Sequence, residues 1–320
     1  MAYTVILYVA SACFILYGIR KHRESKWGKC NNNVKLNGRI VVITGANSGI
    51  GYETTKELSR RGARVILACR SSEKADEAMN NIKKELNMNP KLEFIELDLS
   101  CFQSIHSFTQ EVMKKYKRID MLINNAGVSY PKTSNLKTTE GFEIHMGVNY
   151  LGHVLLTNLL LDHLKEGDKP KIINVSSLLH QKGTLDLEDL NYENRPIQRA
   201  YADSKLALTY FGQELAKRNA DVNVYNLCPG WVYTNLFRYH KYNFFYTLMA
   251  LPIAFFFMRS KKQGAETVIY CATEPRLDAE TGQFYRNCTK FNSAYQFDDE
   301  TGRELWDVTT KIIQEKQQDY

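Results

Sequence analysis

The chain has no internal repeat, no low-complexity tract and no Cys-x-x-Cys pair, and its charge is not segregated by sign. The first two absences remove repeat arrays and disordered tails from consideration. The seven cysteines (Cys13, Cys30, Cys69, Cys101, Cys228, Cys271 and Cys288) are odd in number and widely spaced. That spacing argues against a disulfide framework or a zinc site and fits free thiols in a reducing compartment. The net charge is +7, but Lys and Arg are interleaved with Asp and Glu. This balance reads as a solvated surface mildly attracted to anionic lipid, and it does not point to nucleic acid.

What is present supports a large core. With 320 residues, 44% hydrophobic and 24% charged, the chain has the size of one big α/β domain or two small ones. Its first residues, "MAYTVILYVASACFILYGI", are nearly uncharged, and the basic run "RKHRESKWGK" comes directly after them. A membrane-spanning helix needs about 20 such residues. A cleaved signal peptide carries its positive charge before the apolar run, and here the charge comes after it. The expectation is an uncleaved single-pass anchor over 1–19 and a basic, polar linker over 20–36. Arg20, Lys21, Arg23, Lys26 and Lys29 would then keep the rest of the chain on the cytosolic side.

From residue 37 to 320 short β-branched runs alternate with longer helical stretches. "RIVVITG", "ARVILAC", "LEFIELDL", "IDMLINNAG", "KIINVSS" and "VNVYNLCPG" are continuously apolar, as strands buried on both faces are. "YETTKELSRRG", "SEKADEAMNNIKKELN", "SIHSFTQEVMKKY", "GFEIHMGVNYLGHVLLTNLLLDHL" and "AYADSKLALTYFGQELAKR" have helical spacing. This alternation predicts an α/β domain with a Rossmann-type, doubly wound parallel sheet and helices on both faces. Ligands in such sheets bind outside the carboxyl ends of the strands.

The strand ends carry the candidate chemistry. The first leads into "TGANSGIG", whose Gly45, Gly49 and Gly51, with Asn47, Ser48 and Ile50 between them, would let backbone approach a pyrophosphate at a helix N-terminus. The spacing only approximates Gly-x-Gly-x-x-Gly. The second strand ends at Cys69 and Arg70, where an NAD site would place an acid; Arg70 instead suits a 2′-phosphate, which favours NADP(H). The third ends at Asp98 and Leu99, with Asp98 suited to accept from an adenine amino group. The fourth runs into "NNAG", where Asn124, Asn125, Ala126 and Gly127 either touch cofactor or cap turns. The fifth ends at Ser176 and Ser177.

Then comes "YADSK", which sets Tyr201 and Lys205 one helical turn apart. A phenol with an ordinary pKa near 10 is a poor acid or base at neutral pH, and a cation one turn away favours its phenolate. Tyr201 would exchange a proton with a carbonyl or alcohol oxygen while hydride moves to or from nicotinamide, and Ser177 would hold that oxygen.

"TGANSGIG", "NNAG", Asn149 in "MGVNYLGH", Ser177, the "YADSK" pair and "PG" at Pro229 and Gly230 together resemble the short-chain dehydrogenase/reductase family, over roughly residues 37 to 290. The resemblance implies a single domain with about seven parallel strands, often paired as a homodimer through helix bundles. It makes Tyr201 the acid/base, Lys205 the ribose ligand that tunes it, Ser177 the substrate-polarising group and Asn149 the orderer of a water relay. Pro229, Gly230 and Val232 would touch the cofactor, and Thr234 would lie near the nicotinamide amide. Within the family, "RRGARVILACR", the helix around Asn149 and the basic-flanked N-terminus look most like the membrane-bound, NADP-using retinol dehydrogenase group. They look about equally like the family member designated X, which acts on polyprenols and polyprenals. Asn47 stands where relatives place a basic residue, so phosphate recognition rests on Arg70.

The resemblance thus implies a membrane enzyme of the endoplasmic reticulum, its catalytic domain facing the cytosol, interconverting a lipophilic primary alcohol and its aldehyde with NADP(H). Two alternatives use the same scaffold: a steroid or lipid-aldehyde carbonyl reductase, and a non-enzymatic lipid or cofactor sensor. The sensor would show a lost catalytic residue, and none of the four is lost. An extended relative such as a nucleotide-sugar epimerase would need more residues after "CPG".

The apolar stretch "YNFFYTLMALPIAFFFM", within 237–262, is close to spanning length. A span there would strand "GQFYRN" across the membrane from its own sheet, and Pro252 would break the helix. It is expected to be a substrate lid touching the bilayer surface, with Arg238, Lys241, Arg259, Lys261 and Lys262 at lipid headgroups; packing wholly on its own domain or on a dimer partner is the plainer reading. "NCT" at Asn287 is an exposed acceptor pattern for N-glycosylation and "NVS" at Asn174 a buried one; a cytosolic domain predicts neither is modified.

Overall fold

Each β-branched run becomes a strand because helices cover both of its faces. The computed structural model describes residues 2–131, 133–194, 196–234, 236, 238–239, 251 and 254–317. Its first strands are β1 (Ile40–Thr44), β2 (Arg64–Cys69), β3 (Leu92–Glu96) and β4 (Met121–Asn124); β5 (Lys171–Val175), β6 (Asn223–Cys228) and β7 (Gln283–Arg286) come next, and β8 (Thr289–Lys290) ends the sheet. Along β1, Val41 and Ile43 belong to one buried cluster and Val42 to the other. Val65 and Leu67 against Ile66, and Ile173 against Ile172, repeat that division. Each such side chain, removed from water, contributes roughly 1.5–3 kcal/mol.

One layer holds α2 (Gly49–Arg60), α3 (Ser72–Leu86) and α7 (Lys261–Thr273); the other holds α4 (Phe102–Lys115), α5 (Gly152–Lys165), α6 (Ala200–Arg218) and α8 (Asp299–Gln317). Strand order is β3-β2-β1-β4-β5-β6-β7-β8. All neighbours are parallel except β7 and β8. Val41 lies beside Val65 on one side and Met121 on the other, so the order reverses between β1 and β4 and leaves a crevice at their carboxyl ends. The eighth strand exceeds the seven expected: left-handed backbone at Asn287 and Cys288 turns the chain back to pair Thr289 with Arg286.

Helix boundaries reflect local chemistry. Ser71 caps α3 by accepting from the Lys74 N–H, and Asn87 ends it with φ 49°. Ser260 and Gln263 form a reciprocal capping box on α7. Where one long helix was expected through "GFEIHMGVNYLGH", a π-helical turn, Met146–Leu151, precedes α5. Glu143 Oε2 accepts the N–H groups of His145 and Met146 and starts that turn. α8 carries no motif and has no counterpart among the helices expected from the sequence. Trp306 stacks on Phe211 at 5.5 Å, and Thr309 meets the Tyr150 hydroxyl at 2.7 Å.

The expected anchor requires a correction. A helix does form, α1 (Ala2–Ser25), but among the described residues no helix is long and apolar enough to cross a membrane. The last turns of α1 carry Arg20, Lys21, Arg23 and Glu24, with Arg20 paired to Glu24 at 2.9 Å. The side chains of residues 2, 4, 5, 9, 12 and 13 in its apolar half lie outside the description. Most of the apolar stretch 242–258 also lies outside the described residues; Leu251, Phe255 and Phe257 are described and exposed.

Candidate active site

A cleft of about 850 Å³ opens over the carboxyl ends of the strands. Its lining includes Gly45, Asn47, Ser48, Gly49 and Ile50 from the first turn, Arg70 after β2, and Asp98 and Leu99 after β3. Asn125, Ala126 and Gly127 after β4, Tyr201 and Lys205 from α6, and Pro229 and Thr234 after β6 complete the expected set. Gly51, Asn149, Ser177, Gly230 and Val232 are expected site residues that do not line it.

Those that do not line the cleft shape it from behind. A Cβ on Gly51 would lie 2.3 Å from the Gly45 carbonyl oxygen, so the turn closes only over glycine. Gly45 and Gly49 have φ of 64° and 61°, which side chains rarely adopt. Ser48 precedes α2 with no side-chain cap, and Ser48, Gly49 and Ile50 at the start of that helix line the cleft, the end of a helix that favours an anion. Gly230 (φ 86°) abuts the Arg259 guanidinium, and Val232 packs on Gly264. The loop returns to the first turn: a Cβ on Gly49 would sit 3.5 Å from Thr234 Cγ2.

Asn149 is fully buried in the π-helical turn. Its Oδ1 accepts from the Val128 N–H at 2.8 Å, and its Nδ2 donates to the Val128 carbonyl and Ser204 Oγ, each at 3.1 Å. A Cβ on Gly127 would meet both Asn149 Oδ1 and Lys205 Nζ, at 3.5 and 3.6 Å. Lys205 donates to the Val175 carbonyl at 2.9 Å, and burial brings its pKa down to about 8. Burial also raises the Tyr201 phenol above its ordinary value, against a hydrogen bond from Ser177 that lowers it. Tyr201 is therefore protonated at neutral pH in the cofactor-free chain, and Lys205 is still largely charged.

The amides of "NNAG" divide their work. Asn125 donates to Thr44 by backbone and side chain, at 2.9 and 2.8 Å, locking the fourth loop to the first. Asn124, Asn174 and Asn226 stand side by side on β4, β5 and β6 and are joined at 2.9 and 3.1 Å. Gly212 of α6 sits on this ladder, where a Cβ would come within 2.1 Å of Asn226 Oδ1. Asp98 Oδ1 accepts from the Ser100 N–H and hydroxyl.

Several groups escaped the sequence reading. His153 is fully buried; its Nδ1–H donates to the Asn149 carbonyl at 3.2 Å and its Nε2 accepts from Thr44 Oγ1 at 3.0 Å. Burial, aided by the Lys205 charge, lowers its pKa to about 3. His180 Nδ1–H donates to the Ser177 carbonyl at 2.6 Å, and Nε2 accepts from Ser293 at 2.7 Å. His145 joins Glu143 at 2.7 Å and accepts from the Tyr130 N–H; its ring meets Tyr201 edge-on at 6.1 Å. Tyr130 stacks on Tyr239 at 4.2 Å. The Tyr130 hydroxyl, with Arg238 and Arg70 beside it, brings the Tyr239 phenol down to about 8. His153 had a visible signal, its i,i+4 spacing from Asn149; His180 and Tyr130 owe their places in part to Ser293 and Tyr239, both remote in sequence.

Residues 39–242 match the short chain dehydrogenase family. The chain belongs to it. Within this short chain dehydrogenase family it falls in the retinol dehydrogenase group. It is 40% identical to Retinol dehydrogenase 11 of Mus musculus over 315 residues, covering 96% of this chain and 97% of the relative. It is 38% identical to Retinol dehydrogenase 12 of Mus musculus, covering 97% and 98%. Among solved structures, an uncharacterized protein from Mycobacterium Paratuberculosis superposes with a TM-score of 0.69 at 31% identity, covering 88% of this chain and 95% of that one. Salutaridine reductase from Papaver somniferum superposes with a TM-score of 0.60 at 26% identity, covering 77% and 99%. Membership makes this short chain dehydrogenase an oxidoreductase that binds a nicotinamide cofactor, and the glycine turn and cleft described above fit one.

Proposed function

We propose that the protein is an NADP(H)-dependent oxidoreductase that interconverts a lipophilic primary alcohol, of retinol or polyprenol type, and its aldehyde. The observation that carries the reading is that Tyr201 and Lys205 line the cleft together with Arg70, with Ser177 hydrogen-bonded to Tyr201 and Asn149 beside Gly127 behind them. When bound, the cofactor supplies or accepts the hydride. Tyr201 in its protonated state donates to the carbonyl oxygen during reduction, and Ser177 holds that oxygen in line. Lys205 keeps a positive charge beside the phenolate that results, and Asn149 fixes the Val128 and Ser204 groups around them. Gly45, Asn47, Ser48, Gly49, Ile50 and Gly51 would hold the pyrophosphate. Asp98 and Leu99 would bind adenine, and Asn125, Ala126 and Gly127 the ribose. Pro229, Gly230, Val232 and Thr234 would take the nicotinamide.

Arg70, with no acid at that strand end, supports selection of the 2′-phosphate. Tyr130, Ile144, Val148 and Leu236 in the lining support a lipophilic substrate. The apolar N-terminal half of α1, with its basic turn beyond, supports attachment to a membrane such as the endoplasmic reticulum with the domain facing cytosol. There the reduced NADP pool favours aldehyde reduction. A homodimer stays an expectation of the family. Purified protein should consume NADPH with retinal or a long polyprenal, and Tyr201→Phe should lower kcat by about 10²–10⁴-fold while leaving cofactor affinity intact. A comparison of kcat/KM for retinal, a polyprenal and a medium-chain aldehyde assigns the substrate; no turnover across a broad aldehyde and ketone panel sinks the reading.

A further inference from the structure

Arg259 is a buried cation that the chemistry above does not use. Among the described residues no carboxylate pairs with it, and burial and neighbouring Arg286 both oppose its charge. A buried guanidinium left this way needs other compensation. Its partners are the Pro229 carbonyl (3.3 Å), Asn287 Oδ1 (2.5 Å) and the face of Trp27, 5.0 Å from the ring centroid. Its backbone bonds Trp231 and Tyr233 on either side, at 2.7 and 3.0 Å. Arg259 therefore binds the back of the Pro229–Thr234 loop, two of whose residues line the cleft.

Trp27 belongs to the other end of the chain. It lies just past the end of α1 and is 8% exposed. Arg20 stacks on it at 4.5 Å and donates to the Phe255 carbonyl at 2.5 Å. Arg23 lies over the Phe257 ring at 4.0 Å. Outside this joint the surface is apolar: Ile6, Leu7, Phe14 and Ile15 on α1 and Phe255 and Phe257 beyond it are exposed. Cations sit at the boundary, among them Lys21, which is exposed by 56%. An apolar surface bordered by basic side chains complements an anionic lipid bilayer.

We propose that the exposed face of α1 with Phe255 and Phe257 forms one bilayer-facing surface, and that Trp27 and Arg259 transmit its seating to the Pro229–Thr234 loop of the cofactor cleft. Arg259 is a positioning residue here: it holds the loop from behind and touches no substrate. Lipid contact fixes α1 and Phe255 together, Trp27 stays stacked on Arg259, and the loop is held in its cofactor-binding form before cofactor arrives. The inference rests on the proposed use of NADP(H).

The test measures NADPH affinity of the full-length protein in neutral detergent and in phosphatidylcholine/phosphatidylserine vesicles. Transfer to vesicles should tighten binding about fivefold or more. Trp27→Phe, which keeps an aromatic face, should retain most of that gain. Trp27→Ala should lose it while still floating with the vesicles, since α1 is unchanged. Equal affinity of the wild type in the two settings overturns the proposal, as does a Trp27→Ala protein that keeps the gain. Affinity that rises with protein concentration in detergent also overturns it, assigning the surface to a second copy. No NADPH binding in either setting takes down the proposed reaction as well.

Discussion

His153 gives the fold a calculable acid sensitivity. Its imidazole is fully buried between Thr44 and the Asn149 carbonyl, and burial lowers its pKa from 6.5 to about 3. The folded state therefore excludes a proton that the unfolded chain accepts. The stability this contributes is present above pH 6.5 and is lost as pH falls toward 3. Between pH 7 and pH 5 the unfolded imidazole goes from mostly neutral to almost fully protonated, a loss of about 2 kcal/mol from this group alone. The whole gap sets a ceiling of about 5 kcal/mol. His153→Gln offers a donor and an acceptor at the same place without titrating. Urea unfolding of both proteins at the two pH values gives the comparison, because carboxylates and other imidazoles titrate alike in each and cancel. The wild type should lose about 2 kcal/mol more than the variant. Equal pH dependence would mean that the folded imidazole takes up its proton freely, and the reasoning from burial would fail.

The cleft sets further outcomes. Arg70→Ser should weaken NADPH about tenfold, the lower end expected for an exposed charge-assisted contact, and leave NADH unchanged; equal weakening of both refutes 2′-phosphate recognition. Since burial holds Lys205 near 8, kcat/KM for reduction should fall about tenfold per pH unit above that value. Lys205→Arg should remove the inflection, and a flat wild-type profile up to about pH 9 counts against a charged Lys205 in the reaction.

Much of the fold was legible because buried parallel strands write themselves as unbroken β-branched runs. Strands β1 to β6 fall where "VVIT", "VILAC", "EFIE", "LIN", "IINV" and "VYNLC" are read. The glycine turn was legible because Gly45 and Gly51 answer local demands of backbone angle and packing. The π-helical turn at Asn149 was not, since it depends on Glu143 capping N–H groups that helical spacing alone would assign to an ordinary turn. Nor was α8, whose place is set by Trp306 on Phe211, nearly a hundred residues away in sequence. Arg238 and Tyr239 reach the Arg70 side of the cleft, a contact that no local pattern announces. Asn287 was expected to be exposed; its amide instead engages Arg259, and the residue is half-buried.

The asparagine ladder bears on how the chain is handled while it is being made. Asn174 is wholly enclosed, giving its amide to Asn226 and receiving one from Asn124. Its acceptor pattern for glycosylation is thus readable only before β4, β5 and β6 come together. Once the sheet closes, no transferase can reach it. A glycan at Asn174 would mark a chain that entered the secretory lumen and stayed unfolded there, whereas one at Asn287 would only mark which side of the membrane it faced.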